Sequence, residues 1–319
     1  MANLLDESRL EVREDLSYTI EEFDLMSSED GYVGHKILPA MPKPKKKGSL
    51  IRVPLEQMVQ DLPVNRNADQ TFPFSRLEVG DDMYRTQNKG HATRIDKEAL
   101  EEYNDLFDAE TYEQKRITYG IRRAFEREVV GHVTDFNNYD ASRRADNTTG
   151  GSTGGGMSNW SSRASATVYA DVDAEREKMF LDLGAEPNAM FMSRADFRRV
   201  IDTEDVQARS RSQDYVDVRP KVLNRNTDSL AEVVDIEKVY AANSLRNRGT
   251  GRDLQRIWPN GIVVLAKVKD PGNVTDIGYG YSPVWSKMGM ADRGMPVIWA
   301  ESYDEHETCL LYTSDAADE

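Results

Sequence analysis

Chemistry in this chain would have to come from a few residue groupings. The run Thr148–Gly156, TTGGSTGGG, has the glycine density that lets a backbone wrap a phosphate. A phosphate loop also needs Gly-Lys-Ser/Thr opening a helix after a strand, and no such lysine accompanies this run. It reads as a flexible loop. Lys43, Lys45, Lys46 and Lys47 form a cationic cluster that could grip a polyanion. A solvated turn, or a contact with acid on a neighbouring copy, is the simpler reading. The carboxylate pairs Asp81-Asp82 and Glu101-Glu102 could share a proton, but adjacency carries little information in a chain with 56 acidic residues. Ser193 and His132 stand in no nucleophile-elbow pattern. His35, His91, His132 and His306 lack ligand spacing, and the one cysteine, Cys309, can form neither an internal disulfide nor a Cys-based metal site. Met190 and Met192 read as core filler. The expectation is therefore a chain with no catalytic, cofactor-binding or metal-ligating residues, no cofactor, and no enzyme activity.

Composition narrows the classes further. The chain has 319 residues, 39% of them hydrophobic and 30% charged, which suits one large or two modest domains with a real core. Its net charge of −15 opposes a role as a dedicated DNA binder, since such proteins gain affinity by neutralising phosphates. It does not oppose a container whose wall must avoid gripping its contents. No apolar run reaches membrane-spanning length. Met1–Asp30 is acidic and lacks the apolar stretch of a secretion signal, so a cytoplasmic start is expected.

The elements that would position these residues follow from periodicity. Prolines 39, 42 and 44 exclude a helix between Gly31 and Pro54 and disfavour a central strand. Ser49–Val53 alternates like a strand, Lys43–Gly48 reads as a turn, and Tyr84–Ile95 returns as an extended segment. Together they predict a projecting two-stranded ribbon. The clearest helix runs from about Ala109 to Phe136, with Ile117, Ile121, Phe125, Val129, Val133 and Phe136 in one stripe. Gly120 and Gly131 within it would permit bending or close approach. Further helices are expected at Val172–Leu183, stopped by Gly184, and after Ser193, whose Ser-x-x-Asp start precedes Phe197, Val200 and Ile201. A helical turn at Leu230–Val233 follows. Strands are expected at Ala189–Met192, Ile236–Ala241, Gly261–Ala266, Tyr279–Trp285 and Val297–Tyr303.

The final segment, Cys309–Glu319, reads CLLYTSDAADE. This string equals the translation of a transposon-end adapter used in DNA library preparation. It is expected to be a sequencing-adapter artefact that replaces the natural C-terminus.

In order, these landmarks resemble the major capsid proteins of tailed bacteriophages, the Hong Kong 97-type fold. The resemblance rests on Gly31-Tyr-Val-Gly34 with Ile37-Leu-Pro39, on Lys47-Gly-Ser49 before a strand, and on the long helix ending at Asn138-Tyr139. It continues through the Gly-rich loop with Trp160, Pro187–Met192, Asp196-Phe197, Ile257-Trp258 with Gly261–Ala266, and finally Tyr279-Gly-Tyr281 with Trp285. It spans about Gly31 to Tyr303, with no specific match in the first thirty residues and the family's final strand missing.

The resemblance implies an α+β chain with an N-terminal arm over 1–35 and an extended β-hairpin loop over 36–98. A peripheral domain carrying the spine helix and the Gly-rich loop would occupy 99–185. An axial α/β domain plus returning peripheral strands would occupy 186–308, with the artefact at 309–319. It implies a structural subunit that self-assembles into pentamers and hexamers around double-stranded DNA. Its partners would be copies of itself, a portal and possibly a scaffolding protein, with no membrane. Its place would be the virion capsid, after assembly in the host cytoplasm. Rival classes are an encapsulin-like nanocompartment shell, a soluble α+β enzyme, and a tail or head-completion ring.

Overall fold

The computed structural model describes residues 11–12, 31–52, 61, 80–96, 109–145, 159–212, 226–249, 251, 253–270, 278–285, 297–303 and 308–318. Among these, the best-covered element is strand β5, Ala189–Ser193, all of whose residues are buried. It lies between β6, Lys238–Ala242, in parallel, and β9, Val263–Ala266, in antiparallel register. A strand covered on both faces can be apolar without interruption, and AMFMS is. Period-two geometry then divides the core. Met190 and Met192 point into one cluster, with Val172, Phe197, Ile201 and Leu230. Ala189 and Phe191 point into the other, with Val129, Val133 and Trp258. Each such large side chain contributes roughly 1.5–3 kcal/mol on burial.

Four helices close the first cluster: Val168–Leu183, Arg194–Ile201, Glu204–Ser212 and Thr227–Val234. The first begins four residues before the expected Val172, with Val168 and Val172 both buried. It stops as expected at Gly184, whose positive φ of 65° allows its N–H to donate to the Phe180 carbonyl at 2.7 Å. The Ser193 hydroxyl accepts from the Asp196 N–H at 3.1 Å, the capping bond that the Ser-x-x-Asp spacing predicts. Asp196 is buried and also accepts from the Gly261 N–H at 2.7 Å, tying this helix to the turn before β9.

The second cluster is closed by the long helix, Ala109–Val133. Ile117, Ile121, Val129 and Val133 of the expected stripe are buried. Phe136 is not: the helix ends three residues earlier, and Phe136 is exposed in a 3-10 turn, Phe136–Asn138. Side chains beyond the end account for the stop. Asn138 Nδ2 donates to the His132 carbonyl and the Tyr139 hydroxyl to the Val133 carbonyl, both at 2.9 Å, satisfying acceptors a helix end leaves open. Gly120 and Gly131 are not sites of close approach, since a Cβ at either would meet nothing within 4 Å.

The ribbon is formed by β3, Lys47–Arg52, pairing antiparallel with Gly80–Arg85 of β4, Gly80–Asp96. The remainder of β4, from Thr86, pairs with β12, Thr308–Asp318, which in turn pairs with β11, Val297–Tyr303. With β1, Glu11–Val12, the sheet order is β1-β11-β12-β4-β3. The segment Cys309–Glu319, read as adapter in origin, thus lies almost wholly in β12. Backbone ladders form with little regard to side chain, and the expected continuation of β11 falls here.

Two expectations for the proline segment change. Gly34–Ile37 forms one helical turn, because the prolines lie after its last residue and none takes a helical position where its ring and missing N–H would break it. Pro42 does sit in a strand, β2, Ala40–Lys43, which among the described residues pairs with β10 alone, Ser282–Trp285. A strand with one free edge tolerates a residue lacking an N–H.

Candidate functional site at the root of the ribbon

The chain reaches the ribbon through residues 31–38, and one carboxylate on the long helix fixes that approach. Glu126 is 1% exposed. It accepts from the Val33 N–H at 3.1 Å to each oxygen and from the Gly34 N–H at 2.6 Å. The Ser244 hydroxyl, just beyond β6, is 3.5 Å away and donates to the same group. Burial pushes the Glu126 carboxyl above the usual carboxylate range, opposed by the Val33 and Gly34 N–H groups, Ser244 and the nearby Lys36 ammonium. Lys36 is shifted down by burial, which the Glu126 charge partly offsets, and its Nζ lies 4.8 Å from the Tyr240 ring centre.

Glycine is required on both sides of this contact. Gly31 has φ +79°, and a Cβ there would lie 2.6 Å from the Asn243 backbone nitrogen. A Cβ on Gly34 would lie 2.7 Å from Glu126 Oε2. The Asn243 N–H donates to the Gly31 carbonyl at 3.1 Å. Long helix, central sheet and ribbon root therefore meet at one hydrogen-bonded joint.

The lysine cluster lies one step further along. Lys43 sits 5.2 Å from the ring centre of Tyr281, and Lys46 4.2 Å from that of Trp285. Cation–π attraction in this range contributes ~0.5–1 kcal/mol at exposed sites. Part of the cluster thus holds β2 and its turn to β10 within the chain. The Tyr84 hydroxyl donates to the Lys45 carbonyl at 3.0 Å, and the Thr86 hydroxyl to that of Lys46 at 3.2 Å, closing the base of the ribbon.

Between β4 and the long helix lies a cleft of about 400 Å³, lined by Lys89, His91, Arg116, Ile117, Ile121 and Phe125 among others. Its cations are engaged: Lys89 pairs with Glu128 at 2.5 Å and Arg116 with Glu113 at 2.7 Å. Nothing in its lining pairs a nucleophile with a base. The arrangement can position and bind; it holds no reactive constellation.

Among the described residues, the groups considered for chemistry do not converge. Ser193 is a helix cap, and His132 is exposed near the end of the long helix. His91 lines the cleft, while Asp81-Asp82 lie on β4. Gly150–Gly156, Glu101-Glu102 and His306 fall outside the described residues, as does nearly all of Met1–Asp30. Among the described residues no group of three or more His, Cys, Asp or Glu is placed to hold a metal ion, and no helix is long and apolar enough to cross a membrane. Glu126 was not singled out in the sequence. Its signal is an acidic residue one place beyond Phe125, next to the apolar stripe, in a helix otherwise rich in exposed charge.

The element order and packing belong to a class of mixed α+β folds found among phage proteins. Two of the solved structures similar to this chain illustrate that likeness. A phage-related protein from Bordetella bronchiseptica RB50 superposes with a TM-score of 0.68 at 15% identity, covering 96% of this chain and 92% of that one. The capsid of cyanophage P-SCSP1u superposes with a TM-score of 0.51 at 9% identity, covering 88% of this chain and 82% of that one. At such identities the likeness is one of fold. No protein-family model and no curated protein matches the sequence.

Proposed function

We propose that the chain is a structural subunit of a tailed-phage capsid, working by assembly and without catalysis. Copies of it form pentamers and hexamers that close around double-stranded DNA, with a portal and a scaffolding protein as further partners. Its place is the virion, reached by assembly in the host cytoplasm. The observation that carries the proposal is a ribbon anchored at its root by Glu126 and bare along its described strands, where Met83 on β4 is 90% exposed. A two-stranded ribbon is marginal in water by itself. It gains stability when another chain covers it.

In this reading the long helix is the spine of a peripheral domain, the β6-β5-β9 sheet with its helices is the axial domain, and the ribbon is the extended loop. The cyanophage chain that shares the fold forms a capsid. The net charge of −15 suits an inner wall that leaves packaged DNA mobile. The test is expression of the chain alone and with its neighbouring genes, followed by electron microscopy and absorbance of purified particles. Closed shells of uniform size that hold DNA when terminase and portal are present support the proposal. Shells that instead enclose an enzyme encoded beside it would make it a nanocompartment, and persistent monomers with substrate turnover would overturn it.

A further inference from the structure

Two surface patches carry apolar residues that the fold itself does not use. The helix Val168–Leu183 ends in Phe180 and Leu181, 47% and 74% exposed. On the same face, one and two turns earlier, lie the exposed Glu177 and Asp173. The ion pairs of this helix are Arg176 with Glu186 and Asp235, Lys178 with Glu175, and Asp182 with Arg143. Among the described residues none of these engages Asp173 or Glu177. The result is an acidic stripe with an apolar end.

The second patch has the opposite charge. Strands β7, Leu245–Asn247, and β8, Leu254–Arg256, pair antiparallel with Leu245 opposite Arg256 and Asn247 opposite Leu254. Directly opposed residues share a face, so both leucines lie on one side of this two-stranded ribbon, 44% and 52% exposed. The segment 245–256 holds Arg246, Arg248, Arg252 and Arg256 against one acid, Asp253, in a chain of net charge −15. Arg256, directly opposite Leu245, lies on the same side as the leucines and is partly exposed.

We propose that the Asp173/Glu177/Phe180/Leu181 face of one copy docks on the Leu245/Leu254/Arg256 face of the next. Each patch repels its own kind and complements the other, so the contact is head-to-tail and closes rings instead of making isolated two-fold dimers. The inference rests on the reading of the chain as a shell subunit and names the surfaces of one contact. Nucleic acid is the competing ligand for the arginines, but it does not account for the leucines on the same face or for the acidic partner patch.

The test uses the full chain with Cys309→Ser. Copies carrying Leu181→Cys are mixed with copies carrying Leu254→Cys and oxidised, and Phe180→Cys with Leu245→Cys provides an independent pair should either first variant misfold. A mixed disulfide dimer that forms only in the mixture is expected. Glu177→Arg or Arg256→Glu alone lowers its yield about tenfold or more, and the two reversals together restore it. Intact shells without the mixed disulfide overturn this contact and leave the shell reading standing. The disulfide without shells does the reverse. Unchanged cross-linking in Arg256→Glu, with binding to a duplex DNA fragment lost, overturns the contact in favour of nucleic acid.

Discussion

At the scale of single residues, Glu126 decides how the ribbon leaves the body of the molecule. Removing it by Glu126→Ala leaves the Val33 and Gly34 N–H groups without an acceptor, and an unsatisfied buried donor costs roughly 1–3 kcal/mol. Urea denaturation should show that loss, with a smaller one for Glu126→Gln, which keeps a carbonyl oxygen at the site. The raised pKa of the carboxyl sets the pH dependence. A group whose folded pKa exceeds its unfolded value binds more protons when folded, so its contribution is greatest in acid and declines as pH rises through the folded pKa. The wild-type protein should therefore gain stability relative to Glu126→Gln as pH falls from neutral into the carboxylate range. A constant difference between the two across that range would contradict the buried-charge account. Glycines separate in the same way. Gly31→Ala, with positive φ and backbone 2.6 Å away, should cost about 1–3 kcal/mol. Gly120→Ala, with open space around it, should stabilise the long helix by ~1 kcal/mol in thermal melts.

At the scale of elements, the ribbon should contribute little to the stability of the single chain and much to assembly. Met83→Arg places a charge where a side chain is 90% exposed, so the unfolding free energy of the monomer should change by less than ~0.5 kcal/mol. Sedimentation of the same variant should show reduced assembly; normal assembly would remove the ribbon from the subunit contact. The elements were legible in the sequence wherever periodicity matched burial. The stripe from Ile117 to Val133, the Ser193 cap, the Gly184 stop and the strand at Ala189 all arise from local chemistry acting over one or two turns. What could not be read depended on distant partners. The turn at Gly34–Ile37 is held by a carboxylate 92 residues away in sequence, and no local pattern announces that. The lysine cluster read as a solvated turn or a neighbour contact because Tyr281 and Trp285, which Lys43 and Lys46 meet, lie far along the chain. Phe136 fitted the helical spacing, but Asn138 and Tyr139 cap the helix before reaching it.

At the scale of the whole molecule, two apolar clusters on opposite faces of the β6-β5-β9 sheet give one chain a stable body. The ribbon and the exposed leucines at Leu181, Leu245 and Leu254 lie outside it. A chain built to act alone would gain by covering such surface; a shell subunit needs it bare until a neighbour arrives. Hydrogen exchange measured on free and assembled protein tests this most directly. The account predicts that amides of Lys47–Arg52 and Gly80–Arg85 exchange readily in the free subunit and become strongly protected after assembly, while those of β5 are protected in both. Ribbon amides already as slow as those of β5 in the free chain, and unchanged on raising concentration, would contradict it.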